Sequence, residues 1–338
     1  MKSLGLGRYA LTIGVTAALL AGCGGSQSPI GAPPVPQSHA LAGYADHGGS
    51  WMLPEAKSQD LLYISASPYW PNGDVYVYTY PQGHLVGDLS GLFKPVGECA
   101  DSQGNVFVVT LSSASTSSNV YEYAHGGTTP IATLSDPNVA LSCAIDPQTG
   151  NLAAGGDGVA IFSSAQGIPA IYNSSFAFKH CGFDNRGDLY LSALSSQYGD
   201  QAQLIRLTKG SAAFQTIVVN AKLYSSARLW PSVQWDDNRL VVSSNRDDEP
   251  ITFYRLRVKG AMASVTGATT VTTANNNYSG QTWIQGGRAL AAGNHKHHQM
   301  AFLWKFPEGG PPFSEIRDIG GVTNPDVSGI VVSVAPRR

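Results

Sequence analysis

From residue 60 onward, apolar and aromatic residues alternate with polar ones in short runs, and clusters of Gly, Asn, Asp and Pro separate the runs. A period of two bounded by turn formers predicts β-strands. No part of the mature chain shows a convincing helical period, so an all-β domain is expected. One segment type recurs: a short run holding a small residue or Cys, an Asp, a turn with Gly or Asn, then an apolar strand. Its copies are PVGECADSQGNVFVV from Pro95, VALSCAIDPQTGNLAA from Val139, FKHCGFDNRGDLYLS from Phe178, WPSVQWDDNRLVVSS from Trp230 and, more weakly, SGQTWIQGGRALAAG from Ser279.

A second signature follows each copy: a strand ending in an aromatic or long apolar residue, a turn containing Gly, and another strand. It begins at Val75, Val120, Val159, Leu204, Ile251 and Met300. Two hairpins per unit make a four-stranded antiparallel sheet, and a unit of ~40–50 residues repeated in this way predicts a six-bladed β-propeller. The ends agree with that arithmetic. DLLYISAS from Asp60 lacks an opening segment, and NPDVSGIVVSVAP from Asn324 resembles the missing strand, so the C-terminal strand is expected to close the ring and remove an open edge. Across residues 60–336 the pattern resembles the propellers of the NHL-repeat and gluconolactonase-like group. The shared Asp-x-x-Gly-Asn turn is short and degenerate, so the likeness is to an architecture and not to one activity.

The N-terminus reads differently. Lys2 and Arg8 precede an apolar stretch, Tyr9 to Leu20, too short to span a bilayer, which predicts a cleaved secretion signal over residues 1–22. Leu20-Ala21-Gly22-Cys23 resembles the lipobox of bacterial lipoproteins. The resemblance implies a lipid on Cys23, insertion of its acyl chains into a bilayer at roughly 0.8 kcal/mol per buried CH₂, and, with Gly24 following, a place at the outer membrane or cell surface. Residues 23–58 are rich in Gly, Ser and Pro without periodicity, as a tether would be, which leaves 59–338 for the propeller. Charged residues are only 13% and the net charge is −2 with no basic block, so no nucleic-acid partner is expected.

Candidate chemistry is sparse. Beyond Cys23 there are Cys99, Cys143 and Cys181, an odd number for an oxidising compartment, so at least one thiol should stay free. Cys143 and Cys181 hold matching repeat positions. Their pairing requires Cα atoms within about 7 Å, and buried unpaired thiols are the other reading. Loops joining second and third strands are expected on one face, where binding residues gather. That face would carry Tyr69, Trp70 and Tyr198 as stacking surfaces, joined by Trp283, with Arg246 and Asp247 in NRDDEP and His295, His297 and His298 in NHKHHQ. Trp230, Trp235 and Trp304 read as packing between blades. The imidazoles suit transition metals but lack the spacing of a closed site, and Asp247, Asp248 and Glu249 read as an acidic turn. The gluconolactonase-like resemblance implies a divalent cation at the channel mouth, for which Glu98, Asn245 and Asn294 are the nearest candidates. His180, Gln234 and Gln285 lie on or beside inner strands, where a general base would stand or where water-bonded residues line the channel. No GxSxG elbow or Walker loop is present. The reading is a lipid-anchored scaffold, without cofactor, that binds an envelope protein, peptide or glycan. The alternative is a lactonase- or lyase-like enzyme with a divalent cation.

Overall fold

Runs of Val, Tyr, Leu and Ile pair with the next run along the chain, as the period of two predicts. The computed structural model describes residues 37–39, 49–69, 72–194, 201–225, 230–236, 238–246, 249–273, 278–295, 298–321 and 326–337. Residues Pro36–Arg338 form one compact unit. The secretion signal, Cys23, Trp70, Tyr198, Asp247, Asp248 and His297 lie outside the described residues.

Two sheets have four strands each in sequence order: Pro95–Ala100, Val106–Leu111, Ser118–Tyr123 and Pro130–Asp136, then Ala140–Ile145, Leu152–Gly156, Gly158–Phe162 and Ala170–Asn173. An eight-stranded sheet holds two such runs. Phe178–Phe183, Leu189–Leu194, Ala202–Leu207 and Phe214–Val219 make one; Val233–Asp236, Arg239–Ser244, Ile251–Lys259 and Met262–Val271 make the other. Their outermost strands pair in parallel through Val218 with Met262 and Val219 with Ala263. A fifth strand extends each remaining sheet: Trp51–Met52 on the sheet of Asp326–Ser333, Leu61–Tyr69, Asn72–Thr79 and Leu85–Phe93, and Gln37–His39 on that of Tyr278–Gln285, Arg288–His295, His298–Lys305 and Ser314–Arg317. Helix is confined, among the described residues, to the 3₁₀ turns Pro54–Ser58, Ser163–Ala165 and Ile319–Gly321. The fold is an all-β propeller with four-stranded antiparallel blades.

Within each sheet the innermost strand lies beside the innermost strand of the next. Pro95–Ala100 touches Ala140–Ile145, which touches Phe178–Phe183, then Val233–Asp236, Tyr278–Gln285 and Asp326–Ser333, which returns to Pro95–Ala100. The last strand of the chain pairs antiparallel with Leu61–Tyr69, from Asp326 opposite Ser67 to Ser333 opposite Leu61. Most inner strands carry a register shift near their start, as between Pro95 and Gly97, Ala140 and Ser142, and Phe178 and His180. Such a bulge bends the strand where it enters the centre. A Cβ on Gly97 would stand 2.4 Å from the Leu141 carbonyl oxygen, so only glycine permits this approach of neighbouring inner strands.

Hydrophobic clusters fill the spaces between adjacent sheets, because each sheet buries both faces and offers near-continuous apolar runs such as Val106–Val109. Trp304 is fully buried in one such cluster with Phe253 and Phe302, in keeping with packing between blades. Two departures from the sequence reading are local. Trp51–Met52 and Gln37–His39, assigned to the tether, cover outer strand edges, and strands of two or three residues are too short to show periodicity. The run at His295 is not a long loop, since the strands continue until His295 pairs with His298.

The disulfide also departs from the matched-position pairing. Cys143 bonds Cys99 across a Cα separation of 5.6 Å, and Cys181 stays free and buried. Neighbouring inner strands lie offset by one residue, so positions diagonal in the repeat meet. Burial pushes the Cys181 thiol up to about 12, which keeps it unreactive at neutral pH. The bridge closes a loop across a sequence separation of 44 and should stabilise the fold by about 4 kcal/mol on chain-entropy grounds. Replacing Cys99 and Cys143 by Ala should lower the urea midpoint accordingly, while Cys181→Ala leaves it within about 1 kcal/mol. A thiol titration of the folded protein should find no reactive group until denaturant is added.

Candidate functional site

An innermost strand has a pairing partner on one side only, so its other edge presents amides and carbonyls that need partners in a place with little water. Glutamine side chains supply them. Gln281 Nε2 donates to the Glu98 carbonyl at 2.8 Å while its Oε1 accepts from the Glu98 amide at 3.1 Å. Gln234 makes the same two-point bridge to the adjacent inner strand: Nε2 donates to the Ile284 carbonyl at 2.7 Å, and Oε1 accepts from the Ile284 amide at 2.8 Å. Ser232 Oγ accepts from the Thr282 amide at 2.8 Å, and Ser328 Oγ donates to the Pro95 carbonyl at 2.6 Å. An amide with one donor and one acceptor mimics a strand edge, which a carboxylate or ammonium cannot do.

Glu98 points into the same centre. It is fully buried, and its Oε1 accepts a hydrogen bond from Ser65 Oγ, whereas Oε2 has no partner among the described residues. Gly329 makes room for it, since a Cβ there would meet Glu98 Cγ at 3.0 Å and Cδ at 3.1 Å. Burial pushes the Glu98 carboxyl up to about 8, and Ser65 offsets only part of that rise. His180, also buried, is pushed down to about 3 by burial and by the charge of Lys179 beside it, and its Nε2 has no partner among the described residues. At pH 7 both groups are neutral. Glu98 Oε2 can therefore hold or pass a proton, and neither Glu98 nor His180 presents a charge.

The remaining sequence candidates are scattered. Gln234 is committed to backbone and is not placed as a general base. The Gln285 carbonyl, at the end of its inner strand, accepts from the Tyr80 hydroxyl at 2.8 Å and so ties the first and last sheets. Asn245 Nδ2 donates to the Glu249 carbonyl at 3.0 Å and closes its own loop, while the Arg246 guanidinium lies 4.0 Å from the Tyr224 ring centre. Asn294, His295 and Tyr69 lie on strands, and their side chains are outside the described residues. Among the described residues no three of His, Cys, Asp and Glu gather as metal ligands; of Glu98, Asn245 and Asn294, the side chain of the last lies outside the described residues. Trp230 carries the Lys179 ammonium 4.0 Å from its ring centre.

Two hollows stand at the opposite end of the inner strands, beside the turns that follow them. One, of about 260 Å³, ends the channel and is walled by the disulfide, Cys181, Phe183, Trp235 and Trp283. The other, of about 460 Å³, lies between the two runs of the eight-stranded sheet, with Trp235 again in its wall. Sequence reasoning looked to the other face and gave Trp235 a packing role only. No local sequence signal marks this cleft, because Arg186, Arg206, Arg257 and Lys259 are dispersed along the chain and meet only in its lining.

The raised Glu98 pKa links stability to pH. Between about pH 4.5 and 8 the unfolded chain releases this proton and the folded one keeps it, so stability falls as pH rises through that window. His180 acts in the opposite sense, with stability lost as pH falls from about 6.5 towards 3. Glu98→Gln should abolish the upper limb, raising stability relative to the parent at pH 8.5 by up to about 4 kcal/mol, and leave the lower limb intact. Thermal melts of both proteins from pH 3 to 9 check this, and parallel curves would contradict it.

No family model matches this chain, and no curated protein does. Among solved structures, TolB from Acinetobacter baumannii is similar at a TM-score of 0.51 and 8% identity, covering 79% of this chain and 68% of that one. A protein from Lactobacillus plantarum scores 0.49 at 9% identity over 81% and 99%, and a putative 6-phosphogluconolactonase from Bacteroides uniformis scores 0.47 at 11% over 74% and 80%. At such identities the likeness to TolB speaks for the propeller fold alone.

Proposed function

We propose that this chain is an exported lipoprotein, held in the cell envelope by an acylated Cys23, whose six-bladed propeller of the NHL-like kind is a binding scaffold for a protein, peptide or glycan. The blade count is supported by the cycle of inner-strand contacts and by six apolar clusters, each shared by neighbouring sheets. In this reading the fused eight-stranded sheet is two blades, and the C-terminal strand closes the ring. The anchor is supported by the apolar leader and Leu20-Ala21-Gly22-Cys23.

One observation carries the scaffold reading. The amide side chains that reach the centre bridge backbone groups of other inner strands, Gln234 to the neighbouring strand and Gln281 past Asp326–Ser333 to Glu98, and the carboxyl among them is neutral below about pH 8. A divalent cation needs several ionised or carbonyl oxygens converging on one point, and Glu98 offers one open oxygen on a neutral acid. The cation-dependent enzyme reading therefore has less support. The centre acts as a rigid hub, and binding is left to the blade turns and the hollows between blades.

Elemental analysis of the purified full-length protein before and after chelation, with a melt on each sample, should find no stoichiometric metal and no change in melting temperature. A bound metal whose removal lowers the melt would overturn the scaffold reading in favour of the enzyme. For the anchor, the parent should partition into the detergent phase of a cloud-point extraction and Cys23→Ala into the aqueous phase. Equal partition of the two would contradict lipidation.

A further inference from the structure

The parallel pairing of Val218 with Met262 joins the outermost strands of two adjacent antiparallel runs. Further bonds hold the seam: the Val218 amide donates to the Ala261 carbonyl at 2.8 Å, the Asn220 amide to the Ala263 carbonyl at 3.1 Å, and the Val265 amide to Asn220 Oδ1 at 2.8 Å. The space between the two runs is thereby walled on its outer side, and the 460 Å³ hollow lies there, within the ~300–1,000 Å³ usual for a small-molecule site.

The lining is unusual for this protein. The whole chain carries a net charge of −2, yet four cations, Arg186, Arg206, Arg257 and Lys259, converge on this hollow with only Asp184 and Asp188 against them. Both carboxylates are occupied. Asp184 Oδ1 accepts from the Arg186 and Asp188 amides at 2.8 and 3.0 Å; Asp188 Oδ1 accepts from the Lys209 amide at 2.9 Å, and its Oδ2 lies 3.9 Å from Arg206 Nη1. Arg186, Arg257 and Lys259 have no ion pair among the described residues, and the buried Nε of Arg206 has no hydrogen-bond partner there. The half-buried Trp235 forms one wall. At the rim Asn185 Nδ2 donates to Asn238 Oδ1 at 3.3 Å, which leaves one amide oxygen and one amide nitrogen for hydroxyl groups.

We infer that this inter-blade cleft binds an acidic sugar, a pyranose bearing a carboxylate, as a terminal or repeating unit of a glycan. The guanidinium forks suit a carboxylate in two-point contact, the indole face suits the apolar face of a pyranose ring, and the rim amides suit its hydroxyls. The inference rests on the scaffold reading and narrows its ligand to one class.

The test is calorimetric titration of the full-length protein at low salt with digalacturonate, its methyl ester and glucose 6-phosphate, followed by chromatography of the sugar. Digalacturonate should bind, the neutral ester at least tenfold more weakly, and the affinity should fall with added salt. Arg186→Glu with Arg257→Glu, and separately Trp235→Leu, should each weaken binding at least tenfold while the melt shows the variants folded. Equal affinity for acid and ester, preference for glucose 6-phosphate, or binding unaffected by either variant would overturn the assignment. Recovery of cleaved or altered sugar, lost in the same variants, would uphold the site and instead contradict the scaffold reading.

Discussion

Every inner strand of this propeller has one unpaired edge at the centre of the molecule, and the rest of the architecture depends on satisfying it. Water cannot fully do so, because neighbouring inner strands approach until only glycine fits between them, as at Gly97 against Leu141. Gln281 and Gln234 replace the missing strand with an amide that donates and accepts at once. A buried backbone pair left without partners costs roughly 1–3 kcal/mol per group, so each bridge matters on the scale of total stability, about 5–15 kcal/mol.

That constraint also sets the chemistry of the centre. With the amides spent on backbone, Glu98 is enclosed by Ser65, Gly329 and the bridged strand, and burial keeps it protonated at neutral pH. The Cys99–Cys143 bridge sits one position beyond Glu98 on Pro95–Ala100 and ties that strand covalently to Ala140–Ile145. Freedom to vary remains at the blade edges, and there the pairing of Val218 with Met262 joins two runs into one sheet beside a charged cleft.

The four-stranded blades were legible because strand alternation and the Asp-turn signature are local and repeat. The fold-defining pairing of Asp326–Ser333 with Leu61–Tyr69 was legible too, since a unit missing its first strand needed one from the other end. The site was much less so. Which cysteines pair depends on a one-residue stagger between strands that letter matching cannot show. Gln234 and Gln281 look like any channel-lining amides until their two-point geometry is seen. Trp235 reads as packing because its repeat position is apolar in neighbours such as Phe183 and Ile145, and its exposure to two hollows arises only in three dimensions. Arg186, Arg206, Arg257 and Lys259 are separated by up to one and a half repeats, and only the joined outer strands bring them together.

The most direct test of the bridging account is the stability and amide exchange of Gln281→Leu, which keeps the side chain's bulk and removes both hydrogen-bonding groups. The account predicts a loss of about 2–4 kcal/mol in urea unfolding together with faster exchange of the Glu98 amide, with distant strands such as Ser118–Tyr123 protected as before. A loss within about 0.5 kcal/mol and an unchanged Glu98 amide would show that the inner edge is satisfied by other means.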